Sequence, residues 1–234
     1  MISKRIYLLS AFILFLFYSY AQTQASKIKS SFEAKEYQLT IDEINSIHAS
    51  ELPVDSMLYL KAYSQLKLNQ LKEASITIKQ ILQINPTFYE ANLLKGMIYA
   101  KKQKYADAID CFNKVIDANS KHDKAFYNRA LALGLLDDYK NALKDLDQCI
   151  ALNPNYTLAY YNRAYWNEVT ENYNAAIDDY KKTIDLDKNF NDAYFALAYM
   201  YSKVGDNTKA CETLQTAKQQ GVMAADELMH NYCK

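Results

Sequence analysis

His48, His122 and His230 are the side chains best suited to moving protons near neutral pH, and they are scattered along the chain. None has a neighbouring Ser or Cys in a recognisable nucleophile motif. Two adjacent carboxylate pairs, Asp137-Asp138 and Asp178-Asp179, could be read as general acid and base. Adjacent residues on a helix point to different sides, however, so both pairs are expected to be solvated residues near the favourable dipole end of a helix. The 4 glycines are dispersed and cannot form a phosphate-cradling loop. Cys111, Cys149, Cys211 and Cys233 make no CxxC pair and have no histidine at ligand spacing, which argues against zinc. The expectation is a protein that is not an enzyme and needs neither cofactor nor metal.

Composition narrows the partner. The chain has 234 residues, 50% of them apolar, with 27 basic against 27 acidic side chains. It lacks the basic footprint of a nucleic-acid binder. At the start, Lys4 and Arg5 precede an apolar run from Ile6 to Tyr20, and Ser19-Tyr20-Ala21 places small residues at a cleavage site before Gln22. This is the pattern of a secretory signal peptide over residues 1–21. The run is shorter than the ~20 apolar residues of a spanning helix. The expectation is export to the periplasm or beyond, with membrane contact only through this segment if it is not removed.

The elements that must position any site repeat every 34 residues. Units starting at Asp55, Tyr89, Asp123, Thr157 and Asn191 carry Ala62, Gly96, Ala130, Ala164 and Ala198 at position 8. They carry Ala74, Ala108, Ala142, Ala176 and Ala210 at position 20. Position 24 is always large and apolar: Ile78, Phe112, Leu146, Tyr180 and Leu214. Two antiparallel helices per unit follow, brought close by the small residues and stopped by Pro86 and Pro154 in two units. The register runs backwards through Tyr37, Ile41, Ile44 and Ile47, so residues 22–54 read as a degenerate first unit whose opening helix is weakly patterned around Ile28 and Phe32. Residues 223–234 read as an amphipathic helix capping the last apolar face.

This pattern resembles the tetratricopeptide repeat family over residues 55–222, with units 55–88, 89–122, 123–156, 157–190 and 191–222. Slot 4 departs from the usual tryptophan type, and Asn167 stands in the usually aromatic slot 11. The combination of leader and cap is a bacterial one. The resemblance implies an all-α superhelical solenoid of antiparallel helix hairpins that binds a protein or peptide on the concave face lined by the first helices. On that face position 5 reads Tyr59, Leu93, Tyr127, Tyr161 and Phe195, and position 9 reads Tyr63, Met97, Leu131, Tyr165 and Tyr199. Each rung either lines a groove or packs helix against helix. Asn128 and Asn162 sit beside the groove at position 6. In family members that clamp an acidic C-terminus, such an Asn works with basic residues on adjacent units. The corresponding slots here hold Leu93 and Met97, Leu158, Tyr127 and Leu131, or Asp192 and Ala196, so no such clamp is expected. Arg129 and Arg163 at position 7 are expected to pair with acids on a neighbouring helix.

Cys211 and Cys233 lie equally far in sequence from a turn near Val222. In an antiparallel hairpin they stand at the same height, which suggests a disulfide; the alternative is two buried thiols. Cys111 and Cys149 read as small core residues. The function expected is a non-catalytic scaffold or adaptor holding a partner segment in the groove. A permanent structural subunit of an envelope complex and an accessory factor in cell-wall processing are the alternatives.

Overall fold

The computed structural model describes residues 22–47 and 54–222, with Ala225, Met229, His230 and Cys233 beyond them. The expected signal segment, His48 and most of the expected capping helix lie outside the described residues. Among the described residues every regular element is a helix, and the chain divides into two compact units after Lys102. The first holds α1 (22–33), α2 (Tyr37–Ser46), α3 (Val54–Lys67), α4 (Leu71–Ile84) and α5 (Glu90–Lys101). The second holds α6 (Tyr105–Ala118), α7 (Asp123–Gly134), α8 (Tyr139–Leu152), α9 (Thr157–Val169), α10 (Tyr173–Leu186), α11 (Asn191–Lys203) and α12 (Asn207–Gln219). From α2 onward the helices of each unit pack in chain order, each on the next.

All ten small residues at positions 8 and 20 are buried. Ala62 and Ala74 share one core cluster, Ala130 and Ala142 a second, Ala164 and Ala176 a third, and Ala198 and Ala210 a fourth. The weakly patterned first repeat breaks the rule: Ile28 and Thr40 stand in those slots, both fully buried. Beside them Ser31 Oγ donates to Glu43 Oε2 at 2.7 Å and lies 3.0 Å from Thr40 Oγ1, so a polar network fills space that apolar side chains fill elsewhere.

Each turn that ends a first helix contains one residue in the left-handed region. These are Lys35, Asn69, Gln103, Asp137, Glu171 and Gly205, all one repeat apart. Around Glu171 the amides of Glu171 and Asn172 donate to the carbonyls of Glu168 and Asn167 at 2.9 and 2.7 Å. The same two bonds close the turns at Lys35, Asn69, Asp137 and Gly205, which satisfies carbonyls that a helix end would leave bare. Side chains cap two of the following helices: Asp138 accepts from Asn141 N and Asp206 from Lys209 N.

Charged side chains also recur in step. Lys27–Glu43, Arg129–Asp145 and Arg163–Asp179 each join position 7 to position 23 of one repeat. Both arginines grip bidentately at 2.7–2.8 Å, and each guanidinium reaches the preceding repeat's second helix through Nη1, to Asn113 at 2.8 Å and Asp147 at 2.7 Å. Lys61 makes the corresponding reach to Asn45 at 2.6 Å. The expectation that Arg129 and Arg163 pair with neighbouring acids holds. Asp179, in contrast, was expected at a solvated helix start; it lies mid-helix, buried, because Arg163 neutralises it. Asp138 does occupy a helix start.

Asn85 and Asn153, each before a proline, donate through Nδ2 to Asp55 and Asp123 at 2.9 Å, tying the end of a repeat to its own beginning. At the far end Cys211 and Cys233 are joined in a disulfide. Met229 packs on the cluster of Ala198, Ala210 and Leu214. Cys111 and Cys149 are buried and not disulfide-bonded.

Two substitutions test this account. A Cβ on Gly134 would stand 2.3 Å from Cε2 and Cζ2 of Trp166. Gly134→Ala is therefore expected to lower unfolding stability by about 1–3 kcal/mol, although alanine is the better helix former by about 1 kcal/mol; urea midpoints at unchanged slope measure it. Glu171→Gly relieves a left-handed L-residue and is expected to raise stability by about 0.5–1 kcal/mol in the same measurement.

Candidate functional site

The ten expected groove rungs separate into two kinds. At position 5, Tyr59 packs on Phe88 with ring centroids 5.9 Å apart, Tyr127 stacks on Tyr156 at 4.9 Å, and Tyr161 packs on Phe190 at 4.8 Å. In each pair the partner comes from the last position of the same repeat, so the ring clasps the linking loop to the first helix. Burial raises the hydroxyls of Tyr59 and Tyr127 to about 12 and shifts Tyr161 upward as well. Leu93 is buried. Phe195 packs against the Tyr194 and Ala198 clusters. Position 5 is chiefly a joint, and the recurrence of an aromatic 29 residues later was the signal that could have shown it.

Position 9 differs between the units. In the first, Tyr63 is enclosed by Phe32 at 5.2 Å, Tyr37 at 6.3 Å and Tyr59 at 6.4 Å, with Lys67 Nζ 5.3 Å from its ring. Met97 packs on the cluster of Leu94 and Ile98. In the second unit, Leu131 is half-buried while Tyr165 and Tyr199 are 43% and 41% exposed. Tyr165 rests on Trp166 at 4.7 Å, and Trp166 in turn fills the space left by Gly134.

The two asparagines are turned onto their own helices. Asn128 Nδ2 donates to Lys124 O at 2.6 Å. Asn162 Nδ2 donates to Leu158 O at 2.8 Å and to the Tyr127 hydroxyl of the preceding repeat at 3.1 Å. Asn162 thereby ties α9 to α7. Glu168 is similarly engaged, accepting from the buried Tyr180 hydroxyl at 2.8 Å.

The resulting face is asymmetric. In the second unit the exposed large hydrophobics are Leu135, Leu136, Leu158, Tyr165, Val169, Tyr199 and Val204. Every one lies on a first helix or in the turn that ends it. Among the described residues none lies on α6, α8, α10 or α12. In the first unit Leu39, Ile76 and Ile84 are exposed on second helices, and Leu68 in the turn that ends α3.

The residues first considered for chemistry have other work. His122 Nδ1 accepts from Ala125 N at 3.1 Å and caps α7. Among the described residues no group of three or more His, Cys, Asp or Glu could hold a metal ion. No described helix is long and apolar enough to cross a membrane. Burial lifts the Cys149 thiol to about 12, which suppresses its thiolate.

The tyrosine joints carry a pH signature. The folded chain holds Tyr59 and Tyr127 protonated to about pH 12, whereas unfolded tyrosines ionise near pH 10. Their contribution to stability is complete below pH ~10 and falls as pH rises toward 12, because the unfolded state loses those protons first. Phenolate absorbance is expected to show the two rings ionising late, and Tyr127→Phe to remove part of the alkaline slope in melts.

Comparison with known proteins places this geometry. The tetratricopeptide repeat model matches residues 55–88, 89–122, 123–156 and 192–219. Residues 157–190, between those ranges, form the same kind of hairpin with Ala164 and Ala176 buried. No curated protein sequence matches the chain. Among solved structures, MamA is 24% identical with a TM-score of 0.63, covering 70% of this chain and 96% of its own. YrrB, described as a TPR protein with an unusual peptide-binding site, is 24% identical with a TM-score of 0.59, covering 73% and 89%. The pilF protein of Pseudomonas aeruginosa is 14% identical with a TM-score of 0.66, covering 76% and 88%. With more than half of the chain matched and the hairpins stacked in its register, the protein belongs to the tetratricopeptide repeat family, an all-α solenoid fold that serves as a protein–protein interaction scaffold.

Proposed function

We propose that the chain is a non-catalytic adaptor that holds a segment of a partner protein on the first-helix face of its second unit. The observation that carries this is the one-sided exposure described above. Large apolar side chains are left in water on α9, on α11 and in the turns that end α7 and α11, and among the described residues they are absent from the second helices of that unit. Exposed apolar side chains gathered on one face mark contact surfaces, and exposed tyrosines suit them because they give large contact area with few rotatable bonds. The peptide-binding site of YrrB supports the same use of the fold. The leader-like residues 1–21 support export to the periplasm or beyond, a compartment in which the Cys211–Cys233 bridge would persist.

A permanent structural subunit of an envelope complex is the second reading. It is favoured by Ile76 and Ile84, 61% and 57% exposed on α4 of the first unit. Such a subunit would need those residues covered throughout its life; an adaptor would not.

Selection of a random peptide display library on the purified full chain tests the proposal. Enriched peptides are expected to bind the parent and to lose about tenfold or more in affinity on Tyr165→Ala/Tyr199→Ala, while Lys144→Ala on α8 changes nothing. Equal binding by the double variant would overturn it.

A further inference from the structure

We infer that the segment accepted by the second unit is an amphipathic α-helix of about three turns, bound through an apolar stripe without charge pairing. This rests on the proposed adaptor function and adds the partner's conformation and chemistry. Leu158, Asn162, Tyr165 and Val169 on α9 follow the 4-3-4 spacing of a coiled-coil seam. Of these, Leu158, Tyr165 and Val169 are 39–44% exposed. Leu131 on α7 and Leu135 at its C-cap repeat the last two seam positions, and on α11 Tyr199 repeats the third. The seam on α9 spans about 16 Å, the length of a helix of roughly eleven residues.

Hydrogen bonding decides between a helix and an extended strand. An extended segment laid on this face brings bare backbone N–H and C=O groups that must find partners or lose their hydration uncompensated. The side-chain amide donors of the asparagines on the face are already engaged within the chain. Both Asn128 and Asn162 donate to carbonyls of their own helices, Asn162 also to Tyr127, and the Glu168 carboxylate is engaged by Tyr180. A helix satisfies its own backbone and presents only side chains to the seam. Charge points the same way. The α9 stripe has none, and the stripe positions of its neighbours carry charge only at their ends, in Lys124, Asp192 and Lys203. Nothing along the middle of the face selects an acidic or a basic segment.

The probe is a capped synthetic peptide of about twelve residues with leucines at 4-3-4 spacing on an Ala/Gln background, titrated into the full chain. One control has the same composition with leucines alternating with glutamines, which suits a strand. The other carries a central proline, which breaks the helix. Trp166, the only tryptophan, lies against Tyr165 and reports occupancy through its emission; far-UV circular dichroism reports the peptide's conformation. The first peptide is expected to bind with a gain in helix and with little dependence on salt. Either control is expected to bind at least about tenfold more weakly, as is the first peptide to Val169→Asp, an exposed change that leaves the melting midpoint in place.

Tighter binding of the alternating peptide, binding without helix gain, or self-association of the chain abolished by Val169→Asp would overturn the inference. In the last case the occupant is a second copy. Display-selected peptides that depend on Tyr165 and Tyr199 but bind extended would sink this inference and leave the adaptor function standing. Insensitivity of every peptide to those tyrosines would remove both.

Discussion

The alanines and the glycine at positions 8 and 20 set how closely two helices of a repeat can approach, and the rest of the architecture is built on that distance. A methyl group or a hydrogen at the crossing lets backbones nest. The large residues at position 24, such as Phe112, Leu146, Tyr180 and Leu214, are fully buried around the small-residue contacts. Because the spacing recurs every 34 residues, every other feature recurs at a fixed height relative to it. The left-handed turn residue, the position 7 to position 23 ion pair and the aromatic clasp between positions 5 and 34 are all in step with the alanines. The first repeat is the instructive exception. With Ile28 and Thr40 in the small slots it keeps the turn at Lys35 and the Lys27–Glu43 pair, so those devices survive when the small-residue contact is replaced by a hydrogen-bonded one.

Most of the fold was legible because small residues at regular intervals leave an unambiguous mark in a sequence. The turns were less so. Five of the six left-handed residues between paired helices are Lys, Asn, Gln, Asp and Glu, and only Gly205 advertises its conformation. What holds Lys35, Asn69, Asp137 and Glu171 there is the pair of backbone bonds closing each of their turns, and such bonds leave no trace in side-chain identity. Asp179 was misread for a related reason. Beside Asp178 it looks like half of an exposed acidic pair, and its burial follows from Arg163, sixteen residues earlier in sequence. Neighbours in sequence were weighed there, while the relevant partner lay across the hairpin.

The candidate site shows the same division. A ladder of aromatics on the first helices could be seen, but sequence could not separate rungs that join from rungs that face water. Position 5 lies at the height of the linking loop, where Phe88, Tyr156 and Phe190 come back to meet it. Position 9 lies one turn further along, beyond the reach of that loop. Its exposure then depends on what the preceding repeat offers. Phe32 and Tyr37 close over Tyr63, whereas Gly134 offers nothing that could cover Tyr165 and instead admits Trp166 beneath it.

Gly134 thus links packing to function. Removing a side chain at that point lets the indole of Trp166 lie against the backbone of α7, and the indole becomes the floor on which Tyr165 is presented. The indole N–H is buried with no acceptor among the described residues, a cost accepted for the ring's volume. Tyr139 packs the ring from its other neighbour at 5.5 Å, so the floor is held by α7 and α8 together. An exposed tyrosine on a rigid floor has little freedom to lose when a partner covers it. That is a physical reason to place the proposed binding face on the second unit: Tyr165 is fixed from below and left open above, while Tyr63 of the first unit has already found its partners within the chain.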